Sequence, residues 1–498
     1  MAKKDKSEKI AKRIERKQRR RENREKHKKI RIILAVAYAL LFIVGAYALL
    51  SVFVFDKIKE NKQAELEAEQ AQGSDVIEVN DNTESVIPIS KEELKAKQEA
   101  EKEVETVSED EAPVEETEIE QKAGQLLAQM NLDEKIYQMI ILTPEQLVGE
   151  DDITAAGAKT KEGLEKYPVG GIVYSSSNLK DPEQTKTMLK NMDEYGLKTE
   201  GIPLFLCVAE EGGNAAPIAG TKAFKAKGVS AMGSIGSADD AYAAGHTIGE
   251  SLWGLGFNVN LAPDCDVNTA EGGSFIGSRS FGSDPVSVRE YAASYSNGLH
   301  DSVILSTFKY FPGYGSVPGD PKDGAVSTDK TLDQLKEAEL VPFAYAPSAG
   351  ADFVMVGHVS VPSILNNDTP SSLSHEMVTD VLKGELAYEG IVVTDALNKK
   401  AVTDTCDSAS AAVLAIRAGN DMLLTPDDHA SIPEKVKEAM EAGDITEEQI
   451  DASVKKILVK KLVMNEARAK RIKEDKERKE KEEKEKQEQK NKKKKKKN

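Results

Sequence analysis

Gly390-Ile391-Val392-Val393-Thr394-Asp395-Ala396-Leu397 is the stretch whose reading decides the fold. A run of β-branched residues opened by a glycine reads as a strand buried on both faces, the kind found in a parallel sheet covered by helices. The run ends in one carboxylate and a helix-like stretch follows, which places Asp395 at the C-terminal mouth of the strand. In an eight-fold β/α barrel, chemistry is done at that mouth.

Working outward, similar short apolar runs recur at Tyr137–Leu142, Gly171–Tyr174, Leu204–Ala209, Asn258–Ala262, Ile304–Tyr310, Phe353–Gly357 and Asp421–Leu424. With Ile391–Thr394 they make eight. Helical periodicity fills most gaps, as over Glu183–Tyr195, Asp239–Leu255, Leu332–Ala346, Glu376–Leu386 and Ser408–Ala418. Strand and helix in alternation mean a parallel sheet with helices on its faces. Eight repeats favour a closed TIM-type (β/α)8 barrel over an open sheet. Pro203, Pro263, Pro312 and Pro426 fall at strand ends or loops, where proline is tolerated.

The ends of the chain are different. Residues 1–31 are crowded with Lys and Arg, and 32–55 are apolar and uncharged up to Asp56. Such a run can cross a hydrocarbon core of about 30 Å as one helix. The basic flank predicts a cytoplasmic N-terminus and an extracytoplasmic remainder, a single-pass cell-membrane protein. A cleaved signal peptide would need a shorter apolar region and a small-residue cleavage site, and Leu49–Phe55 offers no clean A-x-A pattern. Residues 56–121 are acidic, of low complexity and poor in large apolar side chains, so they read as a disordered or transiently helical linker. Residues 122–465 hold the barrel. The Lys/Glu-rich tail, 466–498, reads as a charged helix or a disordered segment.

The net charge is −17, and the basic residues are concentrated at the two ends. The middle is therefore more acidic still, which argues against nucleic acid as its target. Cys207, Cys265 and Cys406 have neither metal-ligand nor disulfide-framework spacing. Cys207 and Cys265 lie in or beside apolar runs and read as buried small hydrophobes. No metal or organic cofactor is implied, and the oligomeric state is left open.

The segments after the strands carry the candidate chemistry: Glu210-Glu211-Gly212-Gly213, Pro263-Asp264-Cys265-Asp266, Arg279-Ser280-Phe281-Gly282, Lys309-Tyr310-Phe311-Pro312-Gly313, His358 and Asp395. A retaining glycosidase needs a carboxylate nucleophile, a proton donor for the leaving oxygen, and polar groups that grip sugar hydroxyls. Arg279, Lys309 and His358 are candidate grips. Each has a plainer reading. Arg279 could be a surface ion-pair residue, and His358 a satisfied core histidine. Asp264 and Asp266 could cap the following turn. Lys309 is harder to dismiss, because lysine is rarely buried unpaired.

Together with Leu132–Met139, Gly170-Gly171-Ile172, Ser372-Leu373-Ser374 and Ala418–Leu424, these segments resemble the catalytic barrel of glycoside hydrolase family 3. More closely they resemble the single-domain bacterial β-N-acetylhexosaminidases of wall turnover. The resemblance spans about 122 to 465. It implies that Asp395 is the nucleophile, and that Arg279 and Lys309 bind substrate, with Tyr310, His358, Glu211 and Asp264 beside them. The implied substrate is a glycan with terminal N-acetylglucosamine-type β-linkages, peptidoglycan-derived or other.

Four positions depart from the family pattern. Ala209 stands where the family has a sugar-holding Asp. Lys309-Tyr310 replaces Lys-His, and Gly313-Tyr314-Gly315 replaces Gly-His-Gly. The place of the family's Asp-x-His acid/base pair reads Asp320-Pro321-Lys322, and none of the six histidines falls between His300 and His358. Asp320 and Lys322 are thus the candidates left for the proton donor, and losing a general acid costs typically about 10²- to 10⁴-fold. Two readings compete: a membrane-anchored glycosidase, and a non-catalytic barrel that binds glycan or a wall-assembly partner. Loss of the clamp at Ala209 also leaves room for a different sugar. The enzyme reading expects Asp395 ionised, unpaired and facing an open, sugar-sized hollow.

Overall fold

A computed structural model of the chain describes residues 117–219, 224, 231–270 and 273–495. The expected basic segment, membrane anchor and nearly all of the linker lie outside the described residues. No helix among the described residues is long and apolar enough to cross a membrane.

The strands are β1 (Ile140–Leu142), β2 (Gly171–Tyr174), β3 (Phe205–Val208), β4 (Val259–Asn260), β5 (Thr307–Phe311), β6 (Val326–Ser327), β7 (Phe353–Val356), β8 (Val359–Ser360), β9 (Ile391–Thr394) and β10 (Leu423–Leu424). β10, β1, β2, β3 and β4 lie side by side, as do β5, β7 and β9, and every pairing is parallel. Parallel bridges Val259–Leu305 and Val393–Met422 join the two sheets at both seams. The result is a closed eight-stranded barrel, with all eight expected strands in it. β6 and β8 pair separately and tie the loop after β5 to the segment after β7.

Two expected boundaries are corrected. Tyr137 belongs to the helix Leu132–Gln138 and not to β1. Asn131 accepts a hydrogen bond from the Glu134 amide at 3.1 Å, and Glu134 accepts one from the Asn131 amide at 2.8 Å. This capping box starts a helix despite the apolar residues that follow. The helix expected over Leu332–Ala346 is two short ones, Leu332–Glu337 and Val341–Ala344. Pro342 cannot donate the hydrogen bond that would continue the first into the second.

The outer helices are bounded as local chemistry dictates. Pro182–Glu200 starts on Asp181, which accepts from the Glu183 and Gln184 amides at 3.0 Å, and stops at Gly201 with φ of 72°. Ala238–Leu255 and Pro285–Asp301 pack closely because glycines face each other. A Cβ on Gly245 would lie 2.0 Å from the Tyr295 carbonyl oxygen, and one on Gly298 would lie 2.3 Å from that of Tyr242.

The C-terminal segment is helical from Glu447 to Lys495 without a break at 465. Trp253 donates to Asp475 at 3.0 Å, Arg471 lies 4.5 Å from the Trp253 ring centre, and Arg468 donates to the Phe257 carbonyl at 3.1 Å. The barrel's packing therefore continues as far as Asp475, about three helical turns beyond the expected limit, and the tail is a helix where the sequence left two alternatives open.

Candidate active site

The C-terminal ends of five strands, β3, β4, β5, β7 and β9, and the loops after them bring the predicted residues together. β9 ends at Thr394, and the Asp395 amide extends the ladder by donating to the Val356 carbonyl at 2.7 Å. Lys309 lies within β5, bridged to Asp264, and Glu211 follows β3. A short helical turn, Gly277–Arg279, delivers Arg279.

Glu211 is the centre of one cluster. Its two oxygens accept from Arg279 Nε and Nη2, both at 2.8 Å, and Lys309 Nζ lies 2.5 Å from Oε1. Burial works against the charge of Glu211, but Lys309 and Arg279 outweigh it and hold the carboxyl below its ordinary value. Lys309, only 2 % exposed, also donates to the Leu261 carbonyl at 2.5 Å. The expectation that a buried lysine must be paired is met here. Arg279 Nη2 further donates to the Tyr310 hydroxyl at 2.9 Å and sits 3.3 Å from Asp264 Oδ2. These bonds already occupy much of what Glu211, Lys309 and Tyr310 would offer a sugar. Arg279, partly exposed, presents the open side of the cluster.

Asp264 and Asp266 are fully buried. Asp264 Oδ1 accepts from the Asp266 amide at 3.0 Å, the turn-capping role foreseen for it, and Asp266 Oδ1 accepts from the Tyr314 amide at 2.5 Å. Burial pushes the Asp264 carboxyl up to about 6, against Arg279 and with Glu211. Its Oδ2 has no hydrogen-bond partner. Asp264 thus stands behind Arg279, and its predicted contact with substrate is replaced by a contact with the residue that would make one.

His358 is also corrected. It is fully buried, Nδ1 lies 2.7 Å from Ser372 Oγ, and Nε2 donates to the Ala396 carbonyl at 2.9 Å. Burial lowers its pKa to about 4, so the ring is neutral at pH 7. With both nitrogens engaged, it positions the backbone beside Asp395 and does not grip a sugar.

Asp395 departs furthest from expectation. It is 3 % exposed. Oδ1 accepts from the Ala396 amide at 2.8 Å, while Oδ2 accepts from Lys399 Nζ at 2.6 Å and from the Tyr314 hydroxyl at 3.4 Å. Burial opposes its charge, yet the Lys399 ammonium prevails and holds the carboxyl below its ordinary value. The group is ionised as expected, but it is paired. A cavity of about 330 Å³ opens at the Glu211 cluster, walled by Glu211, Asn214, Phe275, Ser278 and Arg279, and Asp395 is not among its lining residues. That volume falls within the range of small-molecule sites.

Two neighbours of Asp395 carry roles that the sequence reading did not assign. Tyr314 is held by the glycines around it. Gly313 takes φ of 132°, and a Cβ on Gly315 would lie 2.1 Å from the Val267 carbonyl oxygen. The Tyr314 hydroxyl accepts from the His358 amide while reaching Asp395. Lys399 reads in sequence as half of a Lys-Lys surface pair, and only its spacing of four from Asp395 hints at a contact.

The loop expected to supply the acid does reach the site, since the Ala401 amide donates to the Pro321 carbonyl at 2.9 Å. Lys322 is exposed, and its amide donates to Asp320 Oδ1 at 2.9 Å. Asp320 is close enough to favour the charged form of Lys399. The Lys322 side chain makes no hydrogen bond or ion pair among the described residues, which does not fit a proton donor held at the nucleophile. No cluster of metal-ligating side chains occurs among the described residues.

Comparison with known proteins agrees with this barrel. The model of the "Glycosyl hydrolase family 3 N terminal domain" matches residues 131–459. "Beta-hexosaminidase A" of Pseudoalteromonas piscicida is 26 % identical over 341 residues, 64 % of this chain and 57 % of that protein. "Beta-hexosaminidase LpqI" of Mycobacterium tuberculosis is 34 % identical over 220 residues, 43 % of this chain and 56 % of that one. The chain thus spans little more than half the length of these relatives. Among solved structures, a family 3 β-N-acetylglucosaminidase from Paenibacillus sp. str. FPU-7 superposes with a TM-score of 0.62 at 30 % identity, covering 68 % of this chain and 63 % of that one. The β-N-acetylhexosaminidase of Beutenbergia cavernae gives 0.58 at 26 % identity, covering 67 % and 99 %.

Proposed function

Because the chain belongs to glycosyl hydrolase family 3, we propose that it is a retaining glycosidase for terminal β-linked N-acetylhexosamine, with Asp395 as nucleophile. The observation that carries this reading is a carboxylate at the end of β9, one oxygen fixed by a backbone amide and the other turned toward Lys399 and Tyr314. Oδ2 would attack the anomeric carbon and expel the leaving oxygen, and water would then release the sugar from the ester so formed. Arg279, the partly exposed member of its cluster, is the group best placed to meet sugar hydroxyls. The names of the relatives support an N-acetylhexosaminide as substrate.

The proton donor is the weak part of the machinery. With Lys322 turned to solvent, an activated aryl leaving group, which needs little protonation, should react far better than a natural glycan. The test is release of nitrophenol from 4-nitrophenyl N-acetyl-β-glucosaminide by the full chain. Turnover that depends on Asp395 supports the proposal, and equal background rates from wild type and Asp395→Asn defeat it.

The ion pair on Asp395 and the separate cavity beside Arg279 favour one second reading, a barrel that binds glycan without cleaving it. Saturable binding of N-acetylglucosamine oligomers with no hydrolysis would select it. The apolar run 32–55 with its basic flank supports a further proposal, that the barrel is held at the outer face of a cell membrane. Membrane fractionation and protease accessibility in intact cells test this.

A further inference from the structure

Building on the assignment of Asp395 as nucleophile, we propose that Lys399 is a latch: its ammonium occupies the place over Asp395 Oδ2 that a sugar's anomeric carbon must take, and turnover requires it to swing away.

The geometry is specific to one oxygen. Oδ1 is tied to the backbone amide of Ala396 at 2.8 Å, whereas the donors to Oδ2 are side chains, Lys399 and Tyr314, so Oδ2 is the oxygen that can be uncovered for attack. Lys399 Nζ sits 2.6 Å from it. A reacting carbon must come within about 3 to 3.5 Å of its nucleophile, and that space cannot hold both groups. The ammonium also withdraws charge from the oxygen and weakens it as a nucleophile.

The latch is displaceable. Lys399 stands at the start of the short helix Lys400–Thr403, and its side chain is 22 % exposed, so one flank is open to solvent. Its other neighbours are the Tyr310 ring, 5.5 Å from Nζ, and Asp320 in the loop pinned by Pro321. Either can receive the ammonium once a sugar displaces it. Four methylenes give the side chain the reach to move without backbone change.

A role as the acid does not fit. In a retaining pair the donor sits about 5 to 5.5 Å from the nucleophile, on the leaving-group side. At 2.6 Å, Lys399 is a counter-ion.

The test uses the full chain, 4-nitrophenyl N-acetyl-β-glucosaminide, and the variants Lys399→Met, Lys399→Gln and Lys399→Arg. Charge-assisted hydrogen bonds are strong enough that removing one should raise kcat/KM by about ten- to a hundredfold in Lys399→Met. Lys399→Arg should keep the low wild-type rate, and Asp395→Asn should abolish the gain in the Lys399→Met background. Lys399→Gln supplies the neutral variant if Lys399→Met does not fold, as judged by its melting transition. Asp395-dependent turnover in wild type with no gain in either neutral variant overturns the latch and leaves the glycosidase standing. No Asp395-dependent turnover in any variant removes the nucleophile itself, and the latch with it. A gain in the neutral variants that Lys399→Arg reverses is the result a merely structural lysine would not give.

Discussion

Two lysines at the barrel mouth each neutralise a buried carboxylate, and they are held in opposite ways. Lys309 is 2 % exposed and fixed to both Glu211 and the Leu261 carbonyl, while Arg279 shares the same carboxylate. Lys399 has a single carboxylate within ion-pair distance among the described residues, and a flank open to water. A cation with several fixed partners in a dry setting is part of the architecture, because moving it would strand every partner. A cation with one partner beside solvent can leave, since water replaces what it loses. The contrast separates a permanent scaffold around Glu211 from a displaceable cover on Asp395.

The sharpest way to break the comparison is at the covered carboxylate. Asp395→Asn should lower aryl glucosaminide turnover at least about 10³-fold, the scale seen when a nucleophile is removed. Initial rates alongside a thermal melt should show activity lost with the fold intact.

The scaffold should respond the other way. Glu211→Gln leaves Lys309 buried beside an amide and should cost about 3 to 5 kcal/mol of stability, read from urea unfolding at pH 7. The pH dependence sharpens this. The Glu211 carboxyl is held low, so its contribution is fully present above its unfolded-state pKa and is lost as pH falls through the folded value. The acid limb of the stability profile should be shallower in the variant.

His358 should give a comparable but pH-gated effect. Its pKa falls from 6.5 to about 4 on burial, so the unfolded chain takes up a proton that the folded one refuses. Stability should be full above pH 6.5 and should drop by about 3 kcal/mol as the pH falls to about 4. In His358→Gln that part of the urea-midpoint profile should flatten.

The smallest effect is expected where the two regions meet. Tyr314→Phe removes the hydroxyl that links the His358 amide to Asp395, and should cost about 1 kcal/mol by thermal unfolding. A much larger loss would make Tyr314 part of the scaffold.

Most of the barrel was legible in the sequence because its signals are local. Ile391–Thr394 and Gly171–Tyr174 have the same limits in sequence and structure, since a run of apolar strand-formers between turn residues has few other uses. Errors arose where a local signal was overridden by another. A capping box claimed Tyr137 for a helix, and Pro342 split one helix into two. Within the site, the pairing of Lys309 followed from its residue type alone. For His358 the residue type alone favoured a satisfied core histidine over a sugar grip, and the hydroxyl of Ser372 with the carbonyl of Ala396 gives that reading its partners.

The sequence by itself determined the barrel, its strand order of charged tips, and the placement of Asp395 at a strand's end. Those follow from periodicity and turn chemistry, which act between near neighbours. Only the tertiary structure decided that Glu211 is shared by Arg279 and Lys309, and that Lys399 lies on Asp395. Charge pairing acts through space with a steep dependence on distance and burial, and neither quantity exists until the chain has folded.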